Sequence, residues 1–184
     1  MKRNATTALI TIICGFYLLQ LIDPSIQEHL FLINKAILSD GAVHGVATGE
    51  WYRILTVALV HGGFLHLAFN MWALFVLGNP IEQAFGRYRF LAIFFISLIA
   101  GSLTSLVLSP VNQPSVGASG ALFGLFGALA VTGRRIGVDV RSILVLIGIN
   151  FALGFMLPNI DWHAHLGGLI GGAIAATVLL RKRV

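Results

Sequence analysis

The chain has 184 residues, of which 57% are hydrophobic and 10% charged, with a mean hydropathy of +0.90. That is too apolar for a soluble globular domain, and it gives room for about six membrane spans of ~20 residues with short connections, but for no sizeable soluble domain besides. The formal charge of +5 is not a nucleic-acid footprint, because the basic residues sit at the ends of apolar runs and read as topology signals.

Apolar runs separate at loops rich in Pro, Gly, Asn and charge, predicting spans near 5–22, 63–79, 88–108, 117–133, 142–157 and 163–180. The expectation is one domain over residues 1–184: an all-α polytopic membrane bundle of six transmembrane helices with a membrane-embedded first loop. The first run follows Met1-Lys2-Arg3 but leads to no small-residue cleavage site, so it is read as a retained helix. The single cysteine, Cys14, lies inside it and excludes an intrachain disulfide. Ten of the twelve Lys and Arg residues fall on one side of a six-span arrangement, leaving Lys35 and Arg53 opposite. The positive-inside rule then puts both termini in the cytoplasm.

The connection from Asp23 to Gly62 is too apolar for a plain solvated loop, since Leu30-Phe31-Leu32-Ile33 and Trp51 to Val60 both favour burial. Trp51, Tyr52 and Arg53 have the composition of an interfacial anchor. The loop is expected to lie in the outer leaflet and brace the bundle.

The fourth span can be measured against the bilayer. From Ser119 to Arg134 the helix would rise about 22 Å, against a hydrocarbon core of ~30 Å, so Ser119 sits roughly 8 Å below the outer boundary. The same count from Arg181 back to His165 gives about 24 Å, and from Asn79 back to His66 about 20 Å. Three polar side chains on three helices thus share one depth. The segment Val111 to Val116 dips to that level as irregular backbone, which requires burial by protein or access by water.

His66 and Asn70 are one turn apart and stack on one helix face. Polar groups at this depth face a bundle interior or a cavity, although an Asn there is also common as interhelical glue. His165, Gly168, Gly172 and Ala176 form one stripe of the last span, and Gly117, Gly120, Gly124 and Gly127 one of the fourth, with Ser119 at its edge. Either stripe alone is ordinary close packing. Facing each other, they would deliver His165 to Ser119. No His-Glu-x-x-His sequence occurs and Cys14 is isolated, so no metal and no cofactor are expected, and His163 beside Trp162 reads as an interfacial residue.

Gly49-Glu50-Trp51-Tyr52-Arg53, His61-Gly62-Gly63-Phe64-Leu65-His66-Leu67-Ala68-Phe69-Asn70-Met71, the Gly78 to Gly86 stretch with Glu82, Gly117-Ala118-Ser119-Gly120 and Ala164-His165-Leu166-Gly167-Gly168 occur in this order. Together they resemble the rhomboid intramembrane serine proteases, of the bacterial six-helix type, from about Gly49 onward. The resemblance implies that Ser119 is the nucleophile and His165 its base, and that His66 and Asn70 help bind the oxyanion, to which the backbone N–H of Ser119 adds. It implies a serine endopeptidase acting on transmembrane protein substrates in the lipid bilayer, in a bacterial plasma (inner) membrane, with its site open to the outer side. Phe151, Phe155 and Met156, with the loop from Leu157 to Asp161, are the expected substrate gate. Two other classes share some of these features: a client-binding relative that would not require Ser119 and His165 together, and a transporter or proton relay, against which the lack of paired halves speaks.

Overall fold

The structure, a computed structural model, describes residues 4–156 and 160–180. Eight α-helices run in chain order: α1 (Ala5–Ile22), α2 (Ser25–Leu30), α3 (Arg53–Thr56), α4 (Phe64–Phe85), α5 (Arg87–Leu108), α6 (Ser119–Thr132), α7 (Val140–Met156) and α8 (Trp162–Leu179). Between α2 and α3 lies a small antiparallel ribbon, β1 (Ala36–Ile37) with β2 (Val43–His44). This is the only departure from an all-helical fold among the described residues. The chain is thus a polytopic helical membrane bundle, and α1, α4, α5 and α8 are each long and apolar enough to cross a membrane. The six-span expectation is met by length at these four. α7 is apolar but has 17 residues, and α6 has only 14.

α6 is the centre of the bundle. Every residue from Gly120 to Leu129 is buried, so over that stretch it has no lipid-facing side and behaves as a core helix wrapped by α4, α5, α7 and α8. At about 21 Å it is shorter than the ~30 Å hydrocarbon core, and it can start at Ser119 inside the bundle because neighbouring elements surround its end. The two small-residue stripes do face each other. A Cβ built on Gly168 of α8 would overlap the Gly120 carbonyl oxygen, and one on Gly172 the carbonyl of Gly124. On the opposite flank, a Cβ on Gly124 would overlap the fully buried Ser97 side chain of α5. Backbone thus meets backbone across α6 and α8.

α4 overruns its expected end. The expected span ends near residue 79, yet the helix continues through Pro80 to Phe85 and ends at Gly86, which takes φ +86°. A proline inside a membrane helix is tolerated when neighbours satisfy the freed backbone, and here the extra turn has a task. The Glu82 carboxylate accepts the N–H of Ala5 at 2.6 Å, the N–H of Thr6 at 2.8 Å and the Thr6 hydroxyl at 2.7 Å. It thereby caps the start of α1, whose first amides have no partner within their own helix.

The loop between α1 and α4 is packed, as its apolar runs require: Phe31, Leu32, Ile33 and Val60 are buried. Trp51 and Tyr52 are exposed, but Arg53 is 1% exposed and turned inward, which corrects its reading as a surface anchor. Its Nε donates to Glu50 at 2.6 Å, and its Nη1 to the carbonyls of Glu28 and Phe31 at 2.7 and 2.9 Å. A guanidinium so enclosed needs every one of these acceptors.

His44 closes the same loop. Its Nδ1 lies 2.8 Å from Glu50 and its Nε2 2.9 Å from Asp40, so both ring nitrogens face carboxylates and the ring must donate from both. These bonds raise His44 above its ordinary value of 6.5, the Glu50 contact contributing most. Burial alone would raise Glu50, but hydrogen bonds from His44, Arg53 and the Gly45 amide hold it at about 2. The His44 contribution is complete below 6.5 and is lost as pH rises through its raised value, whereas that of Glu50 is complete above 4.5 and is lost as pH falls toward about 2. The loop should therefore be most tightly closed between pH 4.5 and 6.5. Protection of the Gly45 amide, which donates to Glu50 at 2.7 Å, should be greatest in that window after correction for intrinsic exchange. Flat protection from pH 5 to pH 9 would count against the clasp.

Candidate active site

The segment leading into α6 is irregular, and the loop satisfies its backbone. Leu32 and Ser115 exchange two hydrogen bonds at 3.0 and 2.8 Å, and Gly117 N–H donates to the Val57 carbonyl at 2.9 Å. Gly117 takes φ +108°, a region L-residues avoid, and a Cβ there would lie 2.8 Å from His66 Cε1 and 2.9 Å from its Nε2. The glycine therefore supplies both the turn into the helix and the close approach of His66. Ser119 follows as the first helical residue, where backbone N–H groups have no partner within the helix and the dipole favours negative charge.

His165 Nε2 lies 3.0 Å from Ser119 Oγ. The imidazole is stacked on Phe123 with ring centroids 4.1 Å apart and planes 9° from parallel. Phe123 was not singled out in the sequence, though it stands one helical turn after Ser119 on the same face. His165 Nδ1 is buried without a hydrogen-bond partner among the described residues, so no carboxylate completes a triad there.

His66 packs against the other side. Its Nδ1 accepts from the Gly62 amide at 3.4 Å, which leaves Nε2 to carry the proton and point over Gly117. Asn70 spends one side-chain N–H on the His66 carbonyl at 2.9 Å and retains a second. His61 is fully buried, its ring edge-on to His66 at 5.1 Å, and its backbone is gripped by the Gln20 amide, which accepts from His61 N–H at 3.1 Å and donates to its carbonyl at 2.7 Å. Gln20 on α1 thus tethers the chain five residues before His66, a link no local pattern reveals. A small cleft lined by Ser102, Ser115, Gly117 and Ser119 reaches the Ser119 side chain.

Among the remaining residues named from the sequence, Phe151 meets Phe123 edge-on at 5.2 Å and Phe155 lies 5.0 Å from the Trp162 ring. Met156 is exposed. Leu157, Pro158 and Asn159 lie outside the described residues, as do Lys2, Arg3 and the basic residues from Arg181 onward. His163, read as interfacial, bonds Ser109 through Nδ1 at 2.9 Å.

Fold and site together define a polytopic helical membrane protein with a hydroxyl–imidazole pair held inside the bundle at the head of its central helix. Residues 48–182 match the rhomboid domain, and the chain belongs to the rhomboid family. It is 46% identical over 139 residues to the rhomboid protease GluP of Bacillus subtilis, a match covering 73% of this chain but only 27% of that protein. It is 37% identical over 144 residues to YdcA of the same bacterium, covering 76% of this chain and 72% of the relative. RHOMBOID-like protein 5 of Arabidopsis thaliana is 41% identical over 145 residues, 74% of this chain and 47% of that protein. Family membership, with the apolar helices, makes the chain an integral membrane protein.

Proposed function

We propose that the protein is an intramembrane serine endopeptidase that hydrolyses peptide bonds in or near transmembrane helices through a Ser119–His165 dyad, the chain acting as one catalytic domain. The observation that carries this reading is the 3.0 Å contact between Ser119 Oγ and His165 Nε2 at a helix N-terminus, beside the turned-in Nε2 of His66. Ser119 Oγ attacks the scissile carbonyl carbon while neutral His165 takes its proton at Nε2. The negative charge that develops on the carbonyl oxygen is met by the Ser119 backbone N–H, His66 Nε2–H and the free N–H of Asn70. His165 then protonates the leaving amine, the C–N bond breaks, and the acyl group remains on Ser119. Water, deprotonated by the same imidazole, hydrolyses the ester and restores the hydroxyl.

The orientation proposed is cytoplasmic termini and a site open to the outer side of a bacterial plasma membrane. Support comes from Arg87, Arg89 and Arg141, in the first turns of α5 and α7, and from Arg134 and Arg135, just past α6, at the end of the bundle where α1 begins and α8 finishes. Ser119 and His165 lie toward the other end.

The decisive test is purified protein in liposomes with a single-span substrate, together with fluorophosphonate labelling. Cleavage and stoichiometric acylation at Ser119 are expected. Neither occurring would point to the client-binding class instead.

Substrate helices are proposed to reach the site between α4 and α7. Replacing both Phe151 and Phe155 by Ala removes the edge contact to Phe123 and the cover on Trp162, and should raise turnover of a transmembrane substrate roughly two- to fivefold. Cleavage of a soluble unfolded substrate should change less. Equal rates in parent and variant would discard this gate.

A further inference from the structure

We propose that Asp161 is a positioning residue for the reaction, fixing the first turn of α8 against α5 so that His165 stands over Ser119. The inference rests on the dyad reading. An imidazole base is ordinarily oriented by a carboxylate on its second nitrogen, which keeps the ring in register with the nucleophile. Here His165 Nδ1 has no such partner among the described residues, and the ring is held by Phe123 stacking and by Ser119. The orienting carboxylate acts on the backbone instead.

Asp161 is the N-cap of α8. Its Oδ1 accepts the Ala164 N–H at 3.0 Å and its carbonyl accepts the His165 N–H at 3.3 Å, so the donors it satisfies are those of the base and the residue before it. Its Oδ2 accepts the hydroxyl of Ser105, a buried residue of α5, at 2.5 Å. One side chain thus joins the helix that carries the base to a neighbour that does not. A second link runs alongside, from Ser109, the residue just after α5, to His163, whose Nδ1 is also 3.9 Å from Asp161 Oδ1.

Packing shows why the first turn must be fixed. The Ala164 carbonyl lies so close to α5 that a Cβ on Gly101 would be 2.7 Å from it, and one on Gly120 of α6 would be 3.5 Å away. The turn is seated between two backbones with no side chains to adapt. Rotation or fraying of this turn would displace His165 directly, and a displacement near 1 Å at reacting atoms can cost about a hundredfold in rate.

The test compares Asp161→Ala, Asp161→Asn and Ser105→Ala with the parent in the single-span cleavage assay. Asp161→Ala should lower kcat about tenfold or more with KM within about twofold, because alignment rather than substrate binding is lost. Asp161→Asn keeps an acceptor oxygen for Ala164 and should restore kcat to within about threefold of the parent. Ser105→Ala removes the bond from Asp161 to α5, with the weaker 3.5 Å contact to the Ser109 hydroxyl, and should lower kcat about threefold, which keeps the test open if Asp161→Ala does not fold. An unchanged kcat in Asp161→Ala, or in Ser105→Ala where the former does not fold, would overturn the proposal, as would Asp161→Asn no better than Asp161→Ala. The imidazole 15N resonances of His165 give a readout that needs no turnover. Should the parent neither cleave nor label, the dyad reading fails separately, while a His165 signal that shifts and broadens in Asp161→Ala and recovers in Asp161→Asn would still support the positioning role. Identical spectra in all three would overturn it.

Discussion

Ser119→Ala is expected to lower cleavage of a single-span substrate by roughly four to six orders of magnitude, and His165→Ala by a similar factor. The two groups meet at 3.0 Å and act in one step, so either loss removes the same function and the double variant should be no slower than the worse single one. What remains would be the contribution of binding and of the oxyanion donors. His66→Ala tests that remainder from the other side and should cost about a hundred- to a thousandfold. Thermal stability is the necessary control. Ser119 is half-buried and, among the described residues, its hydroxyl holds no structural bond besides the one to His165, so Ser119→Ala should melt with the parent. Near-parental cleavage by Ser119→Ala would refute the dyad outright.

The largest expected loss of stability comes from Gly168→Val. A Cβ there would overlap the Gly120 carbonyl oxygen, and the obstacle is a helix backbone that cannot turn aside as a flexible side chain would. Overpacking usually costs about 1–3 kcal/mol, and here α6 cannot retreat because Ser97 of α5 already presses on Gly124. A penalty of about 3 kcal/mol or more corresponds to a fall of roughly 6–12 °C in melting temperature for a chain of this size. Activity should vanish with it, since parting α8 from α6 carries His165 away from Ser119. Gly148→Ala on α7 is the control: nothing lies within 4 Å of its Cβ position, and a neutral effect or a gain of about 0.5–1 kcal/mol is expected. A parental melting temperature for Gly168→Val would mean that the two helices do not meet at their glycines.

Much of this arrangement could be read from the sequence because lipid imposes simple rules. The bounds of α1, α5 and α8 follow from apolar run length, and the juxtaposition of Ser119 with His165 from counting residues back to basic boundaries and from two stripes of small residues. α4 runs on past the apolar run that ends near residue 79 because the bundle absorbs Pro80, and Glu82 gives the added turn a role. Arg53 was misplaced for a related reason. Only Glu50 among its acceptors is a sequence neighbour, while the carbonyls of Glu28 and Phe31 arrive through the path of the loop. Gln20 and Asp161 are of the same kind, each meaningful through a partner some forty or more residues away.

The anchoring of α1 bears on the order in which the molecule assembles. Little of this helix is buried, with 17% of its apolar window covered, and apart from a bond between Gln20 and Gln27 of α2 its polar ties reach far along the chain, to Glu82 and to the backbone of His61. The two distant partners lie 76 and 41 residues further along the chain, so α1 leaves the ribosome with only the neighbouring α2 to grip. Its remaining ties form once the loop and α4 have been made and inserted. Closing a loop of that length is slow compared with forming a helix, which makes the seating of α1 a late event of synthesis. An interruption before Glu82 would release a chain whose first helix lacks the carboxylate that caps its first amides.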